Sequence, residues 1–294
     1  MKIKTVRCWI EAMRLRTLPV SVAGVFTAWA FALLTGFMRW TPALLCLAFA
    51  VLAQIASNFA NEYYDYRDGL DRPGREGPRR GVTEGDITPR AMKTATFATL
   101  GAACCIGLSL IVWGGWLLLP AGILIAVGVV AYSAGPWPLS RHGLGELAVV
   151  FFFGIIPVCL GFYVITGIPW LTEVGLASVS MGLMGANVLI VNNYRDRDAD
   201  AAVGKRTLAV RVGRPAMAAL YLVDGYVAVA LMVTLWAALP PLTWLIPAVW
   251  LVLHTMVYWR LAVRTGRALN PLLGVTAMLM LAYALAFLAV AAAA

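Results

Sequence analysis

Charge is what this sequence has least of. Only 13% of its 294 residues are charged, against 62% hydrophobic. A soluble domain of that length needs far more polar surface, so the composition excludes one. Cysteine is sparse and unpatterned. All but Cys8 of the set Cys8, Cys46, Cys104, Cys105 and Cys159 lie in apolar runs, and none stands at metal-ligand spacing. They read as small buried hydrophobes. Of the two histidines, His142 reads as a plain loop residue, with acceptor binding as the competing role, and His254 as a satisfied core residue on an apolar helix. The first apolar run is too long for a cleavable signal and shows no clear small-residue cleavage site. Acids number 14 against 23 bases, for a net charge of +9. That excess does not call for nucleic acid, because cytoplasmic loops of membrane proteins are rich in Lys and Arg.

What the chain does have is apolar runs of about 20 residues, the length that crosses a ~30 Å hydrocarbon core at 1.5 Å per residue. We expect an all-α membrane bundle, one domain over residues 1–294, with nine transmembrane helices at 18–37, 43–64, 91–113, 116–134, 144–166, 172–196, 215–238, 242–262 and 271–292. Proline, glycine or a polar cluster marks every gap. With nine crossings, 22 of the 23 bases fall on one side and only Arg39 falls opposite. The positive-inside rule then puts the N-terminus in the cytoplasm and the C-terminus outside. Trp40, Trp113, Trp116, Trp170, Trp236 and Trp244 cluster near the predicted outer ends, where amphipathic rings favour the interface.

Ten of the fourteen acids sit in two segments. Residues 58–90 hold Glu62, Asp65, Asp68, Asp71, Glu76, Glu84 and Asp86, and residues 192–206 hold Asp196, Asp198 and Asp200. On a helix Asn61 and Asp65 share a face, continued by Asp68 and Asp71. Asn193, Asp196 and Asp200 share another, from which Asp198 points away. Gathered carboxylates repel, and a divalent cation relieves the repulsion. Mg²⁺ takes hard oxygen ligands, often one or two carboxylates together with substrate phosphates. Arg79, Arg80, Lys205 and Arg206, with Arg16 just before the first helix, suit the same diphosphate. The competing reading is solvated loop charge for Asp68, Glu76, Glu84, Asp86 and Asp198, and a topology signal for Lys205 and Arg206. Asp224, an acid inside an apolar helix, pairs with a cation or lines a cavity. Glu146 opens the fifth helix, where a carboxylate suits the positive helix end, with substrate contact as a second role.

At these residues the chain resembles a known family. The stretch Asn61 to Asp71, with Gly69 inside it, resembles the first Asp-rich motif of the UbiA superfamily of membrane prenyltransferases, and Asn193 to Asp200 with Gly204 to Gly213 resembles the second. The Asp65–Asp71 spacing, Arg14 to Pro19, Gly77 to Gly81, Tyr132 to Leu139 and Gly143 to Glu146 look like the branch that prenylates 1,4-dihydroxy-2-naphthoate, with motifs at 58–90 and 192–214. One position departs, Glu62 standing where the superfamily has Asp. The resemblance spans about residues 14–215, and the last three helices carry little that is distinctive.

The resemblance implies the following. A polyprenyl diphosphate and an aromatic acid are the substrates. Mg²⁺ bound by Asn61, Asp65, Asp71, Asn193, Asp196 and Asp200 polarises the leaving diphosphate, and Lys205 and Arg206 neutralise its charge. The allylic carbocation alkylates the ring, carbon dioxide leaves the attacked position, and demethylmenaquinone results. Asp65, Asp196 and Lys205 are the expected catalytic residues. Arg16, Arg79, Arg80, Tyr132, Glu146, Lys205 and Arg206 are the expected substrate-binding ones. The implied setting is a bacterial inner membrane with the site facing the cytoplasm. The faces of Tyr63, Tyr64 and Tyr132 could steady the cation, with interface anchoring as the alternative. Other acceptors, 4-hydroxybenzoate or homogentisate, remain open. An ion-coupled transporter would carry acids near mid-helix across the bundle, whereas these cluster at two helix ends.

Overall fold

The computed structural model describes residues 2–72 and 76–294, with backbone alone for 2–5. Pro73, Gly74 and Arg75 in the first acidic stretch, and the side chains of Lys2 and Lys4, lie outside the described residues. Among those described, the chain is all helical. In order come α1 (Lys2–Met13), α2 (Leu18–Leu34), α3 (Trp40–Arg67), α4 (Pro89–Ser109), the single turn α5 (Ile111–Gly114) and α6 (Leu118–Ala131). They are followed by α7 (Gly145–Val149), a π-helical stretch Val150–Leu160, α8 (Gly161–Thr166), α9 (Thr172–Ala202) and α10 (Leu208–Leu231). The last are α11 (Val233–Ala237), α12 (Leu245–Val263) and α13 (Asn270–Ala293).

Eight helical stretches among the described residues are long and apolar enough to cross a membrane, which makes this a multi-pass membrane protein. The fourth expected crossing is the exception. Its helix, α6, has 14 residues, about 21 Å, against a core of ~30 Å.

Length also places the acids. α3 has 28 residues and α9 has 31, about 42 and 46 Å, so each overruns the hydrocarbon core by two to three turns. The expected ends at 64 and 196 are too early, because the helices continue through Asp65 and Asp200. Both clusters ride on helical overhangs, which hold side chains more firmly than loops do.

Local signals explain the boundaries. Thr88 caps α4, its Oγ1 accepting from the Ala91 backbone N–H at 3.2 Å, with Pro89 at the first position. Gly213 (φ +81°) breaks α10 before Pro215, where the sequence predicts that helix to start. The π-helical stretch holds Pro157, whose missing N–H the wider turns accommodate. It packs against α9 through Gly154 and Gly182. A Cβ on Gly154 would lie 2.4 Å from the Ser178 carbonyl oxygen and 2.5 Å from Gly182 Cα, so these backbones touch.

The main core joins α2, α9, α10 and α13. Two expectations change here. Trp40, Trp116, Trp170 and Trp244 are exposed, but Trp236 is fully buried and donates from Nε1 to the Tyr283 hydroxyl at 2.7 Å. A satisfied indole packs as core. Of the cysteines, Cys8 and Cys46 are buried while Cys105 is exposed on the outer face of α4. His254 is a core residue as expected, stacked between Tyr221 and Trp250 at 4.6 and 4.9 Å. Arg39, the one base that the nine-crossing map sets opposite the others, donates to the carbonyls of Val164 (2.9 Å) and Ile165 (2.5 Å). It therefore caps the C-terminus of α8, where a cation meets unpaired carbonyls and the negative helix end.

Candidate active site

The overhanging ends of α3 and α9 face each other across a polar cavity of ≈ 1030 Å³. Asn61 and Asp65 line it from α3, and Asn192, Asn193, Asp196 and Asp200 line it from α9. Arg14, Arg80, Tyr132 and Lys205 complete the polar wall.

Asp65, one of the lining residues, is almost fully buried. Its Oδ2 accepts from Lys205 Nζ at 3.0 Å and from Asn61 Nδ2 at 3.3 Å. Its Oδ1 accepts no hydrogen bond and has Arg141 Nη2 at 3.7 Å. Lys205 also lies 3.8 Å from Asp200 Oδ1, so one ammonium bridges the two motifs. Asn61 turns its oxygen to two guanidinium groups, Arg14 Nη2 at 2.6 Å and Arg80 Nη2 at 3.1 Å, while its amide reaches Ser133 Oγ at 3.0 Å. On α9, Asn193 donates to Glu146 Oε1 at 2.9 Å. Arg195 takes both oxygens of Asp196 at 2.8 Å each.

These donors fit a hard divalent ion. Carboxylate and amide oxygens of Asn61, Asp65, Asn193, Asp196 and Asp200 line the cavity, and Asp65 Oδ1 is a buried acceptor with nothing donating to it. No three acidic, His or Cys groups converge among the described residues, so any metal here would draw further oxygens from substrate or water.

Several expected residues sit elsewhere. Asp71 lies outside the cavity lining, its Oδ2 3.2 Å from Arg80 Nε, where it orients that arginine. Glu62, one position on from Asn61 and so about 100° around the helix, accepts from the Val82 N–H at 3.0 Å and ties down the first loop. Arg16 is exposed. Arg14, two residues earlier, enters the site instead, from a left-handed backbone (φ +51°) that no residue pattern signals. Arg79 is exposed and pairs with Asp86. Arg206 is exposed, and its N–H donates to the Arg141 carbonyl at 3.0 Å. Glu146 is buried behind Asn193, outside the lining. Asp224 is half-buried and also outside it, and His142 stacks on Trp137 at 4.2 Å.

Arg141, counted from sequence only for topology, bonds Asp68 Oδ2 at 2.7 Å. The Arg67 guanidinium first, and Arg141 after it, hold the Asp68 carboxyl below the ordinary carboxylate range.

The polar cavity shares Gln54, Ser57, Tyr132, Val149 and Phe153 with an apolar cavity of ≈ 1110 Å³. That cavity in turn shares Phe49, Gly107 and Gly122 with a further apolar recess of ≈ 570 Å³ between α4 and α6. The arrangement is one charged compartment beside an apolar one, with a second apolar recess beyond it.

The model of the UbiA prenyltransferase family matches residues 23–282. A protein of Mycobacterium tuberculosis (strain ATCC 25618 / H37Rv) called 1,4-dihydroxy-2-naphthoate octaprenyltransferase is 37% identical over 282 residues, covering 95% of this chain and 94% of its own. One of the same name from Escherichia coli (strain K12) is 36% identical over 220 residues, covering 72% and 70%. Among solved structures, a UbiA homolog from Archaeoglobus fulgidus bound to DMAPP and Mg²⁺ superposes with a TM-score of 0.63 at 18% identity, covering 96% and 99%. The apo structure of a UbiA homolog from Aeropyrum pernix K1 gives 0.69 at 18% identity, covering 92% and 96%.

Proposed function

We propose that this chain, which belongs to the UbiA prenyltransferase family, transfers a polyprenyl group from polyprenyl diphosphate to 1,4-dihydroxy-2-naphthoate. The observation that carries the reading is the joined pair of compartments. A wall of oxygens and cations suits a diphosphate, and an apolar cavity beside it suits the attached hydrocarbon tail. Relatives named for this reaction, at 36 and 37% identity, supply the acceptor.

Asn61, Asp65, Asn193, Asp196 and Asp200 are the residues that would hold Mg²⁺, the ion bound with DMAPP in the Archaeoglobus fulgidus homolog. Bound there, Mg²⁺ neutralises charge on the departing diphosphate. Lys205 supplies a fixed positive charge at the same place, between the two motifs. Arg80 Nη1 is a buried donor that makes no hydrogen bond, with Glu62 no closer than 4.0 Å, and it serves a phosphate oxygen. The allylic C–O bond breaks and its electrons leave with the diphosphate. The cation then bonds to the ring carbon bearing the carboxylate. Loss of carbon dioxide returns that bond's electrons to the ring and gives the quinol of demethylmenaquinone. The apolar compartment excludes water from the cation. We place the site at the cytoplasmic face of a bacterial inner membrane, where the basic loops gather.

The test is an assay of purified protein with Mg²⁺ and octaprenyl diphosphate, offering 1,4-dihydroxy-2-naphthoate or 4-hydroxybenzoate. Release of diphosphate and carbon dioxide with the naphthoate is expected. Product with 4-hydroxybenzoate alone overturns the acceptor, and no diphosphate release with either overturns the reaction.

The tail's route yields a second expectation. A Cβ on Gly122 would meet nothing within 4 Å, so this position is open space between the two apolar compartments. Gly122→Trp should fill it. The kcat/KM for octaprenyl diphosphate should fall by about tenfold or more, with geranyl diphosphate little affected. Equal loss for both donors would remove the long tail from this passage.

A further inference from the structure

Arg195 is buried to 2% exposure beside the polar cavity. A guanidinium is tolerated there only if its donors are engaged. Nε and Nη2 each hold one oxygen of Asp196 at 2.8 Å, and Nη2 also reaches Asn192 Oδ1 at 2.8 Å. The remaining nitrogen, Nη1, donates to Asn270 Oδ1 at 3.0 Å. Asn270 opens α13, 75 residues further along the chain. Its Nδ2 donates in the opposite direction, to the Glu76 carbonyl at 3.0 Å.

One amide thus joins the last helix, the second acidic motif and the loop that follows the first. We propose that Asn270 is a positioning residue for the diphosphate site, acting through Arg195 on Asp196. The inference rests on the reading of Asp196 as part of that site.

A bidentate arginine fixes the plane of a carboxylate, but only as firmly as the arginine is itself held. Asn192 and Asp196 sit on the same helix as Arg195 and follow any shift of it. Asn270 comes from a different helix and supplies the external reference. Without it, a buried N–H loses its acceptor, and the guanidinium turns to recover one. Asp196, which lines the cavity, turns with it.

The measurement is calorimetric binding of inorganic diphosphate in the presence of Mg²⁺, with the full chain in detergent micelles, alongside kinetics and thermal unfolding. Wild type is expected to bind. Asn270→Ala should bind about tenfold more weakly, with KM for the prenyl donor rising more than kcat falls and the unfolding midpoint little moved. Asn270→Asp keeps the acceptor for Arg195 and gives up the bond to the Glu76 carbonyl, so it should retain most of the affinity. A folded Asn270→Ala with wild-type affinity overturns the proposal, as does an aspartate variant that folds yet binds no better than alanine. Should the alanine variant not fold, Arg195→Lys keeps the charge, loses the fork and carries the same expectation. Wild-type affinity in that variant overturns the proposal equally. A wild-type protein that binds no diphosphate with Mg²⁺ overturns the functional reading on which the inference stands.

Discussion

Asp65→Ala should lower kcat by about 10³-fold, some 4 kcal/mol of transition-state stabilisation, while leaving a folded protein. The size follows from what converges on this carboxylate. Lys205 and Asn61 reach Oδ2, Arg141 approaches Oδ1, and Oδ1 accepts no hydrogen bond. Removing it takes away a buried acceptor in the cavity lining and releases the lysine that spans both motifs. Asp65→Asn separates charge from shape, since the amide keeps the volume and one acceptor but not the negative charge. It should fall nearly as far as alanine if charge toward a divalent ion is the function. Single-turnover kinetics with saturating Mg²⁺ and donor measure this directly. An asparagine variant within tenfold of wild type would remove Asp65 from the metal-holding set.

Lys205→Met carries the second-largest effect, a loss of about 10²-fold in kcat/KM for the prenyl donor. The lysine puts one charge 3.0 Å from Asp65 Oδ2 and 3.8 Å from Asp200 Oδ1. When leaving-group charge develops between those helix ends, a fixed cation stabilises the transition state more than the ground state. Its loss also leaves two carboxylates facing each other with one fewer counter-charge, which destabilises the fold. Mg²⁺ should correct part of that defect, because a ligand that binds only the folded state stabilises it. The thermal midpoint of the variant should therefore rise more on adding Mg²⁺ than that of wild type. An equal rise in both would mean that lysine and metal do not share these carboxylates.

How much of this was legible in sequence differs by level. The bundle was, because apolar runs of membrane length and the placing of bases need no tertiary information. So were the two faces Asn61–Asp65 and Asn193–Asp196–Asp200, since spacing on a helix is arithmetic, and the structure has all five line one cavity. Contacts carried by the backbone between helices were not. Arg14 and Arg16 are alike by composition, and only the left-handed turn at Arg14 decides which enters. Arg141 comes from a short loop in which a single base looks like a topology signal. Asn270 lies in a helix whose sequence is otherwise plain, and its partners stand 75 and 194 residues away. Trp236 matched the interface pattern, yet the hydroxyl of Tyr283 makes it core.

The touching backbones of Gly154 and Gly182 set a common datum for two compartments. Gly154 belongs to the stretch whose Phe152, Phe153 and Ile156 line the apolar cavity, and Gly182 to the helix that carries Asn193 and Asp196 eleven and fourteen residues further on. Side chains can repack, but two main chains in contact cannot slide without separating. Under the proposed function, the offset between the residues that would grip the phosphates and the cavity that would take the first isoprene carbons is thus indexed at one point. Even the methyl of Gly154→Ala would shift one scale against the other.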